Sequence, residues 1–489
     1  MMFPLRKSMP FICFRFIRPI GLFLTAMLAL ASCEAPEEAP LNVLVLYTDD
    51  QRYNTIAALG NDEIHTPNLD RLVQMGTTFT HAHTMGGQHG ALCAPSRSML
   101  MTGRPLFRLL EKGDRIPAYH FMMPEAFVAA GYTTFATGKW HNDKDSFARA
   151  FQQGDNIFFG GMHWPREGGH ESPLLHEFDS TGVYPTDDRH PVEGFSSNLY
   201  ADAAIRFLSS VQQSAAPFFA YVSFTSPHDP RTPPPPFDSL YAPASISLPP
   251  NYLPEHPFDN GELRVRDENL REHPRTEAIA REELALYYGM ISELDAQIGR
   301  IVDALRANGQ LDNTLVVMAG DNGLAVGSHG LLGKQNLYEH SMRVPMILAG
   351  PGVPADERRD ALVYVFDLFP TIASLAGLAT PPTVEGMDLQ PLMADADLPG
   401  REAAFYAYRN EQRGVRMAAG WKYLQYEVAG VRTEQLFDLN HDPFETINLA
   451  GRADMGTTLE TMRTLLIEQS RLWSDPLDLS APQWGKPVP

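Results

Sequence analysis

The stretch Asn42-Val-Leu-Val-Leu-Tyr47-Thr48-Asp49-Asp50 decides the fold class. Its apolar residues run continuously instead of alternating, which fits a strand covered on both faces, as strands of parallel sheets are. Four further runs read the same way: Tyr132 to Thr137, Phe218 to Phe224, Thr314 to Ala319 and Val344 to Ala349. Amphipathic stretches lie between them. Pro67 to Met75 opens with Thr66 as N-cap and proline in the first helical position; Ser196 to Gln213 and Thr276 to Asn308 are the longest helical readings. Strands alternating with helices predict an α/β fold, a large, mostly parallel sheet sandwiched by helices.

Outward from this frame, the proline-dense segment from Pro227 to Pro257 cannot be regular structure throughout and reads as a long ordered loop over one face. Beyond about Pro399 the runs become short and closely spaced: Ala403 to Tyr408, Gly414 to Ala419, Trp421 to Val428 and Gln435 to Leu439, followed by a helical stretch from Thr457 to Trp473. These predict a small antiparallel sheet with one covering helix. The domain reading is therefore residues 42–399 for the large domain and 400–489 for a C-terminal α+β subdomain. No internal repeat is visible.

Residues 1–33 do not belong to this fold. Arg6, Lys7, Arg15 and Arg18 precede an apolar run from Ile20 to Leu30, and Leu30-Ala31-Ser32-Cys33 closes it. That is a secretion signal, too short to span a bilayer comfortably, and small residues before a cysteine resemble the lipobox of bacterial lipoproteins. Cys33 is then the lipidation site and residues 34–41 a short acidic, proline-containing tether. The expected location is that of an exported bacterial lipoprotein, in the periplasm or on the outer-membrane surface, touching the membrane through its lipid anchor only.

Of the three cysteines, Cys13 and Cys33 fall in this segment, leaving Cys93 alone in the mature fold. No disulfide can form within it, so the lone thiol is either a buried structural residue or a reactive one. The formal charge is -20; removing the four basic residues of the signal, which holds no acid, leaves 35 basic against 59 acidic residues, or -24. Nucleic acid is excluded as a partner on that balance. An anionic substrate would need a local cationic pocket to overcome the overall field.

Ligands of open α/β sheets bind beyond the carboxyl ends of the strands. The residues there converge in kind: Asp49-Asp50, then Gly138-Lys139-Trp140-His141, Ser226-Pro227-His228-Asp229 and Asp321-Asn322-Gly323. Adjacent carboxylates repel in a desolvated pocket unless a cation sits between them. The hard oxygen set Asp49, Asp50, Asp321 and Asn322 suits calcium, with magnesium as the second choice. Aspartate and asparagine also favour turns and helix caps, which is the plainer reading of either pair alone.

Around the lone cysteine the chain reads Gly90-Ala-Leu-Cys93-Ala-Pro95-Ser96-Arg97, followed by Thr102-Gly103-Arg104. Cys-x-Pro-Ser-Arg with Thr-Gly at this spacing resembles the signature of the type I, formylglycine-dependent sulfatases of the alkaline phosphatase superfamily. The pattern is most similar to the bacterial carbohydrate sulfatases. The strand-end elements recur in that family's order, so the resemblance covers roughly residues 42 to 445.

The resemblance implies an alkaline-phosphatase-like fold and a hydrolase of sulfate esters. It implies that Cys93 is oxidised to formylglycine during export by a formylglycine-generating enzyme, and that its hydrate attacks sulfur. It places Asp49, Asp50, Asp321 and Asn322, with the modified Cys93, around the metal. Arg97 and Lys139 would hold the formylglycine and neutralise charge. His141 would take a proton from its second hydroxyl, His228 would act as general acid, and Lys334 would clamp sulfate. His329, in Gly327-Ser328-His329-Gly330, is as readily structural. An unmodified thiol could not turn over, because a thiosulfate ester lacks the second hydroxyl that expels sulfate.

Substrate contacts are expected from Arg231, His163, Trp164, Tyr408 and Arg409 by stacking and charge-assisted bonds, with a sulfated polysaccharide or oligosaccharide as partner. Two other readings stay open on the sequence: a phosphodiesterase or phosphonate monoester hydrolase of the same superfamily, and a non-catalytic lipoprotein that binds sulfated glycan.

Overall fold

The computed structural model describes residues 40–484. The signal segment with Cys33, and the tether before residue 40, lie outside the described residues. In chain order the strands are β1 Asn42–Thr48, β2 Gly76–His83, β3 Gly86–Gly87, β4 Thr133–Lys139, β5 Gln153–Phe158, β6 Leu174–Leu175, β7 His190–Pro191 and β8 Phe218–Ser223. They continue with β9 Thr314–Gly320, β10 Met346–Ala349, β11 Glu357–Tyr364, β12 Ala403–Tyr408, β13 Gln412–Met417, β14 Trp421–Val428 and β15 Val431–Asp438.

The large sheet has the order β11-β2-β10-β9-β1-β8-β4-β5. Only β10 runs against its neighbours, pairing antiparallel with both β2 and β9, so the sheet is mostly parallel, as the uninterrupted apolar runs predict. β1 lies at its centre, in register with β8 through Val43 opposite Phe219 and with β9 through Val43 opposite Leu315. Its side chains alternate between two cores. Val43, Val45 and Tyr47 pack with Phe127, Phe147 and Phe369 of helices on one face, and Leu44 and Leu46 pack with Tyr200, Leu294 and Ile298 of helices on the other. Burial on both faces is why this strand carries no polar alternation.

The helix Glu277–Ala307 is capped by Thr276, whose side chain accepts from the Ile279 amide. Pro67 does begin the helix Pro67–Met75, but Thr66 does not cap it: its hydroxyl accepts from the Ala57 amide at 2.8 Å and donates to Asp70 at 3.2 Å. The proline-rich loop lies on the long helix, where a Cβ on Gly289 would sit 2.7 Å from the Phe237 carbonyl oxygen and 2.9 Å from Pro233.

The C-terminal sheet has the order β15-β14-β13-β12-β3, and the helix Gly456–Leu472 covers it with Met462 and Leu466. The sheet is antiparallel except at β3, which comes from the first hundred residues and pairs in parallel with β12, Gly86 opposite Ala407 and Gly87 opposite Tyr408. The close approach demands glycine: Gly86 has φ 91°, and a Cβ there would lie 2.2 Å from the Ala407 carbonyl oxygen.

Candidate active site

Cys93 is the first residue of the helix Cys93–Thr102, all of whose residues are buried, and the helix ends at Gly103 in the left-handed region, φ 62°. Two residues of the first turns lock it onto the strand ends. Ser96 Oγ donates to the Asp321 carbonyl at 2.8 Å. Arg97 donates through one terminal nitrogen to Asp321 Oδ2 at 3.1 Å and through the other to the Lys139 carbonyl at 3.1 Å, the Tyr221 hydroxyl at 3.2 Å and the Ser223 hydroxyl.

The loop after β1 turns sharply at Asp50, φ 65°. Its amide donates to Asp321 Oδ1 at 2.9 Å, which brings the loops after β1 and β9 together. At the end of β4, Gly138 adopts φ 87°, and a Cβ there would lie 1.9 Å from the Ser223 carbonyl oxygen. Lys139 is the last residue of β4 instead of the loop that follows it. Its ammonium is bound by Asp49 and by the Gly161 carbonyl at 2.5 Å. His141, φ 60°, packs over Gly161, where a Cβ would meet its Nε2 at 2.8 Å.

Cys93 Sγ lies 3.0 Å from Asp49 Oδ1 and 3.8 Å from Asp50 Oδ1. Lys334 Nζ donates to Cys93 Sγ at 2.8 Å and to Asp50 Oδ1 at 2.5 Å. His228 Nε2 lies 3.6 Å from Asp50 Oδ2, and its Nδ1 lies 2.8 Å from the Asp229 carbonyl. Cys93, His228 and Lys334 line a cavity of about 230 Å³ together with His141, Gly161, Arg266, Asp267 and Gln335.

Burial and mutual repulsion govern the electrostatics. Burial pushes the Asp50 and Asp321 carboxyls up, Lys334 opposing the rise at Asp50, and the neighbouring carboxylates add to it. Burial works on Asp49 in the same direction, but Lys139, with His228, Arg97 and Lys334 beside it, holds that carboxyl well below the usual range. Burial, reinforced by Asp321 and Asp49, pushes the Cys93 thiol well up, so it is a protonated and weak nucleophile as it stands. His141 is pushed well below its ordinary value by burial and by Lys139 and Arg97, and its Nδ1 has no hydrogen-bond partner among the described residues.

A hard divalent cation fits these residues. One donor atom each from Asp49, Asp50, Cys93 and Asp321 lies within 4.8 Å of every other. Both amide atoms of Asn322 are buried without a partner among the described residues, an unusual state for a side chain that can serve as an oxygen ligand.

All the residues expected to carry chemistry thus meet at one place. The expected sugar contacts do not. His163 is buried, bonded to the Tyr200 hydroxyl at 3.0 Å, with its ring tilted against that of Phe158 at 4.1 Å. Arg231 is buried and paired with Glu283 on the long helix, Nε to Oε2 at 2.8 Å. Tyr408 is fully buried and donates to Glu262 at 3.0 Å. None of these three lines the cavity. His329 stacks on Tyr338 at 3.8 Å and its amide donates to the Asn251 carbonyl, a structural placement. Arg409 is half-exposed and pairs with Glu262 at 2.5 Å. Sequence reasoning missed Arg266, Asp267 and Gln335, which do face the cavity. Arg266 binds both carboxylate oxygens of Asp229 and lies 5.9 Å from the ring of the exposed Trp164.

A sulfatase family profile matches residues 41–378, and a profile for the C-terminal region of N-sulphoglucosamine sulphohydrolase matches residues 327–471. A sulfatase of Formosa agariphila is 28% identical over 486 residues, covering 92% of this chain and 92% of its own. The N-acetylglucosamine-6-O-sulfatase of Bacteroides thetaiotaomicron is 24% identical over 525 residues, covering 92% and 90%. Among solved structures, the phosphonate monoester hydrolase of Agrobacterium radiobacter superposes with a TM-score of 0.70 at 23% identity, over 88% of this chain and 96% of that one.

Proposed function

Since the chain belongs to the sulfatase family and is a sulfuric ester hydrolase, we propose that it removes sulfate from sulfated carbohydrate through a formylglycine made from Cys93, with a calcium ion in the carboxylate cluster. The observation that carries this reading is the setting of Cys93: a protonated, buried thiol lining a cavity, within 3.0 Å of both a carboxylate and an ammonium. Carbohydrate as the substrate class is supported by the relatives, one of which is an N-acetylglucosamine-6-O-sulfatase.

A formylglycine at position 93 would supply, as its hydrate, one hydroxyl to attack sulfur with release of the sugar alcohol and a second whose deprotonation would expel sulfate and restore the aldehyde. Calcium, with magnesium as the alternative, would be held by Asp49, Asp50, Asp321 and Asn322 and would supply positive charge beside the sulfate. The protein's own residues do the rest. Arg97 fixes the helix that presents position 93. Lys139 and Lys334 bring fixed positive charge to a desolvated site, where it acts most strongly on a developing anion. His141, with a free nitrogen and a depressed basicity, is kept neutral and so able to accept the proton of the second hydroxyl.

His228 would protonate the leaving oxygen. Burial and Lys334 push its imidazole down to about 4, so it is neutral in the free protein. An anionic ester entering beside it acts in the opposite direction and favours the protonated form. The same reading keeps the enzyme outside the cytoplasm, anchored through Cys33, on the strength of residues 1–33.

The test is a comparison of steady-state rates on a sulfate ester and a phosphate diester of one leaving group, with peptide mass at position 93 measured on the same preparation. Higher kcat/KM on the sulfate ester with an aldehyde at position 93 is expected. Activity from a chain holding only cysteine there would end this reading.

A further inference from the structure

A second cavity, of about 340 Å³, shares no lining residue with the reaction cavity; Arg52, Tyr53, Asn251, His340, Arg343 and Phe444 stand in its wall. Two guanidiniums give it charge. Arg52 is 5% exposed and donates to a main-chain carbonyl, that of Ala325, at 3.2 Å. Arg343 donates to the Thr80 carbonyl at 2.5 Å and lies 3.7 Å from the centre of the Tyr53 ring. Neither guanidinium is ion-paired among the described residues. Two carboxylates also stand in the wall, Glu339 and Glu445, but both are taken up by Lys422, Oε1 to Nζ at 3.0 and 2.8 Å, and Glu339 lies 3.9 Å from Arg416 as well. Two acids are thus set against four bases. Burying a cation without a counter-charge is costly, and a bound anion removes that cost.

Polar atoms of the same wall are left over too. Arg52 Nε, Asn251 Oδ1 and both ring nitrogens of His340 have no hydrogen-bond partner among the described residues, although Asn251 and His340 are each only 7% exposed. Buried polar groups are ordinarily bonded, so such a cluster marks a place where a further molecule completes the wall. The orientation of Asn251 is fixed, because its amide nitrogen donates to the Phe444 carbonyl at 2.9 Å and lies 3.1 Å from His329 Nε2. Its free oxygen therefore needs a donor. What the wall lacks is an anion that also carries a hydroxyl.

The cavity backs onto both loops that carry the carboxylate cluster. Arg52 follows Asp50 by two residues, and its amide donates to the Tyr287 hydroxyl at 3.0 Å, which in turn donates to the Asp50 carbonyl at 2.5 Å. The His340 and Ser341 carbonyls accept from the Leu324 and Gly323 amides, each at 2.9 Å, just past Asn322.

We propose that this cavity is a second binding site, separate from the reaction cavity, for a small hydroxylated oxyanion. Its acid group is held by Arg52 and Arg343, and its hydroxyls bond Asn251 and His340. A molecule so held braces the loops of Asp50 and Asn322 together. The site does not depend on which ester the protein cleaves.

Titration calorimetry on the whole Cys93→Ala chain, which cannot turn over by the proposed route, tests this with glucuronate, glucose 6-sulfate and glucose as probes. At least one anionic probe is expected to bind saturably and more tightly than glucose. Its affinity is expected to fall about tenfold in Arg343→Gln and to stay unchanged in Lys334→Ala, which alters the reaction cavity alone. The carboxylate and sulfate arms identify which oxyanion is taken. Melting curves without probe establish that each variant is folded; should Arg343→Gln fail there, Arg52→Lys, which keeps the charge and loses the planar fork, replaces it with the same expected loss. No saturable binding of either anion, glucose bound as tightly, full affinity in the arginine variant, or a loss that follows Lys334→Ala instead overturns the proposal. Binding is read without turnover, so absence of sulfate release counts against the proposed function and leaves this site standing.

Discussion

Lys334 and Cys93, 241 residues apart in the chain, face each other at 2.8 Å, Nζ to Sγ, with Asp50 Oδ1 2.5 Å from the same ammonium. Burial would lower the basicity of Lys334, but Asp50 and the other acids around it hold the ammonium well above its ordinary value, so it is a fixed positive charge at the reacting position. Lys334→Ala, assayed with calcium present to spare Asp50 an unpaired buried charge, is expected to lower kcat/KM by about 10²- to 10³-fold. A loss under threefold, by steady-state kinetics, would remove Lys334 from the chemistry.

A general acid matters in proportion to how poor the leaving group is. His228→Ala is expected to cost about 10²- to 10⁴-fold in kcat on a sugar sulfate, whose alcohol must be protonated, and far less on an aryl sulfate with an acidic phenol. Equal losses on both substrates would assign His228 to positioning.

Chelation should lower the thermal midpoint as well as the rate, since a ligand that binds only the folded chain stabilises it by about 2.7 kcal/mol at a hundred times its Kd. Readdition of calcium should restore both. Asn322→Ala should shift the calcium concentration needed for half-restoration upward, read by differential scanning calorimetry. A midpoint indifferent to calcium in the unsubstituted protein would count against a cation among Asp49, Asp50 and Asp321.

Glu293 sits in the long helix, fully buried, with Ser197 and Gln297 as its polar neighbours and no basic partner in contact among the described residues. Burial pushes its carboxyl up to about 8. The folded chain therefore binds this proton more tightly than the unfolded chain does. The stability it contributes is fully present below the unfolded carboxyl value and is lost as pH rises through about 8, at roughly 1 kcal/mol per pH unit in that window. Glu293→Gln should remove this slope and raise the thermal midpoint at pH 8 relative to pH 5. Parallel melting curves for the two proteins across that range would contradict it.

What the sequence made legible follows from where each residue lies. β1, β8 and β9 are buried on both faces, and their apolar runs announced them; β4, Thr-Thr-Phe-Ala-Thr-Gly-Lys, is marked by its threonines instead. β5 and β11 are the sheet's two edges, and Gln-Gly-Asp-Asn-Ile-Phe or Glu-Arg-Arg-Asp-Ala-Leu-Val-Tyr carries too much charge and polarity to read as strand. The opposed direction of β10 leaves no mark in its composition. At the site, Asp49, Asp321 and Lys139 were found because strand ends place them, Cys93 because a fixed motif does, and Lys334 only through the family resemblance of its loop. Arg266 and Asp267 were missed because they stand in a single short 3₁₀ turn, Arg266–Asn269, and Gln335 because it lies in an irregular loop; neither has a periodicity that says which way a side chain points. Arg231 and Tyr408 show the converse error: a polar residue near a motif is as readily consumed by an internal partner, here Glu283 and Glu262.

The two-residue strand β3 has a consequence for how such a protein could diversify. Because Gly86–Gly87 is woven into the C-terminal sheet only six residues before Cys93, that sheet is no detachable module. A graft that exchanged β12 and β13 for those of a relative would have to bring a compatible partner segment into the very stretch that leads to Cys93. Exchange of that sheet by recombination is therefore constrained here, whereas point substitution within it is not.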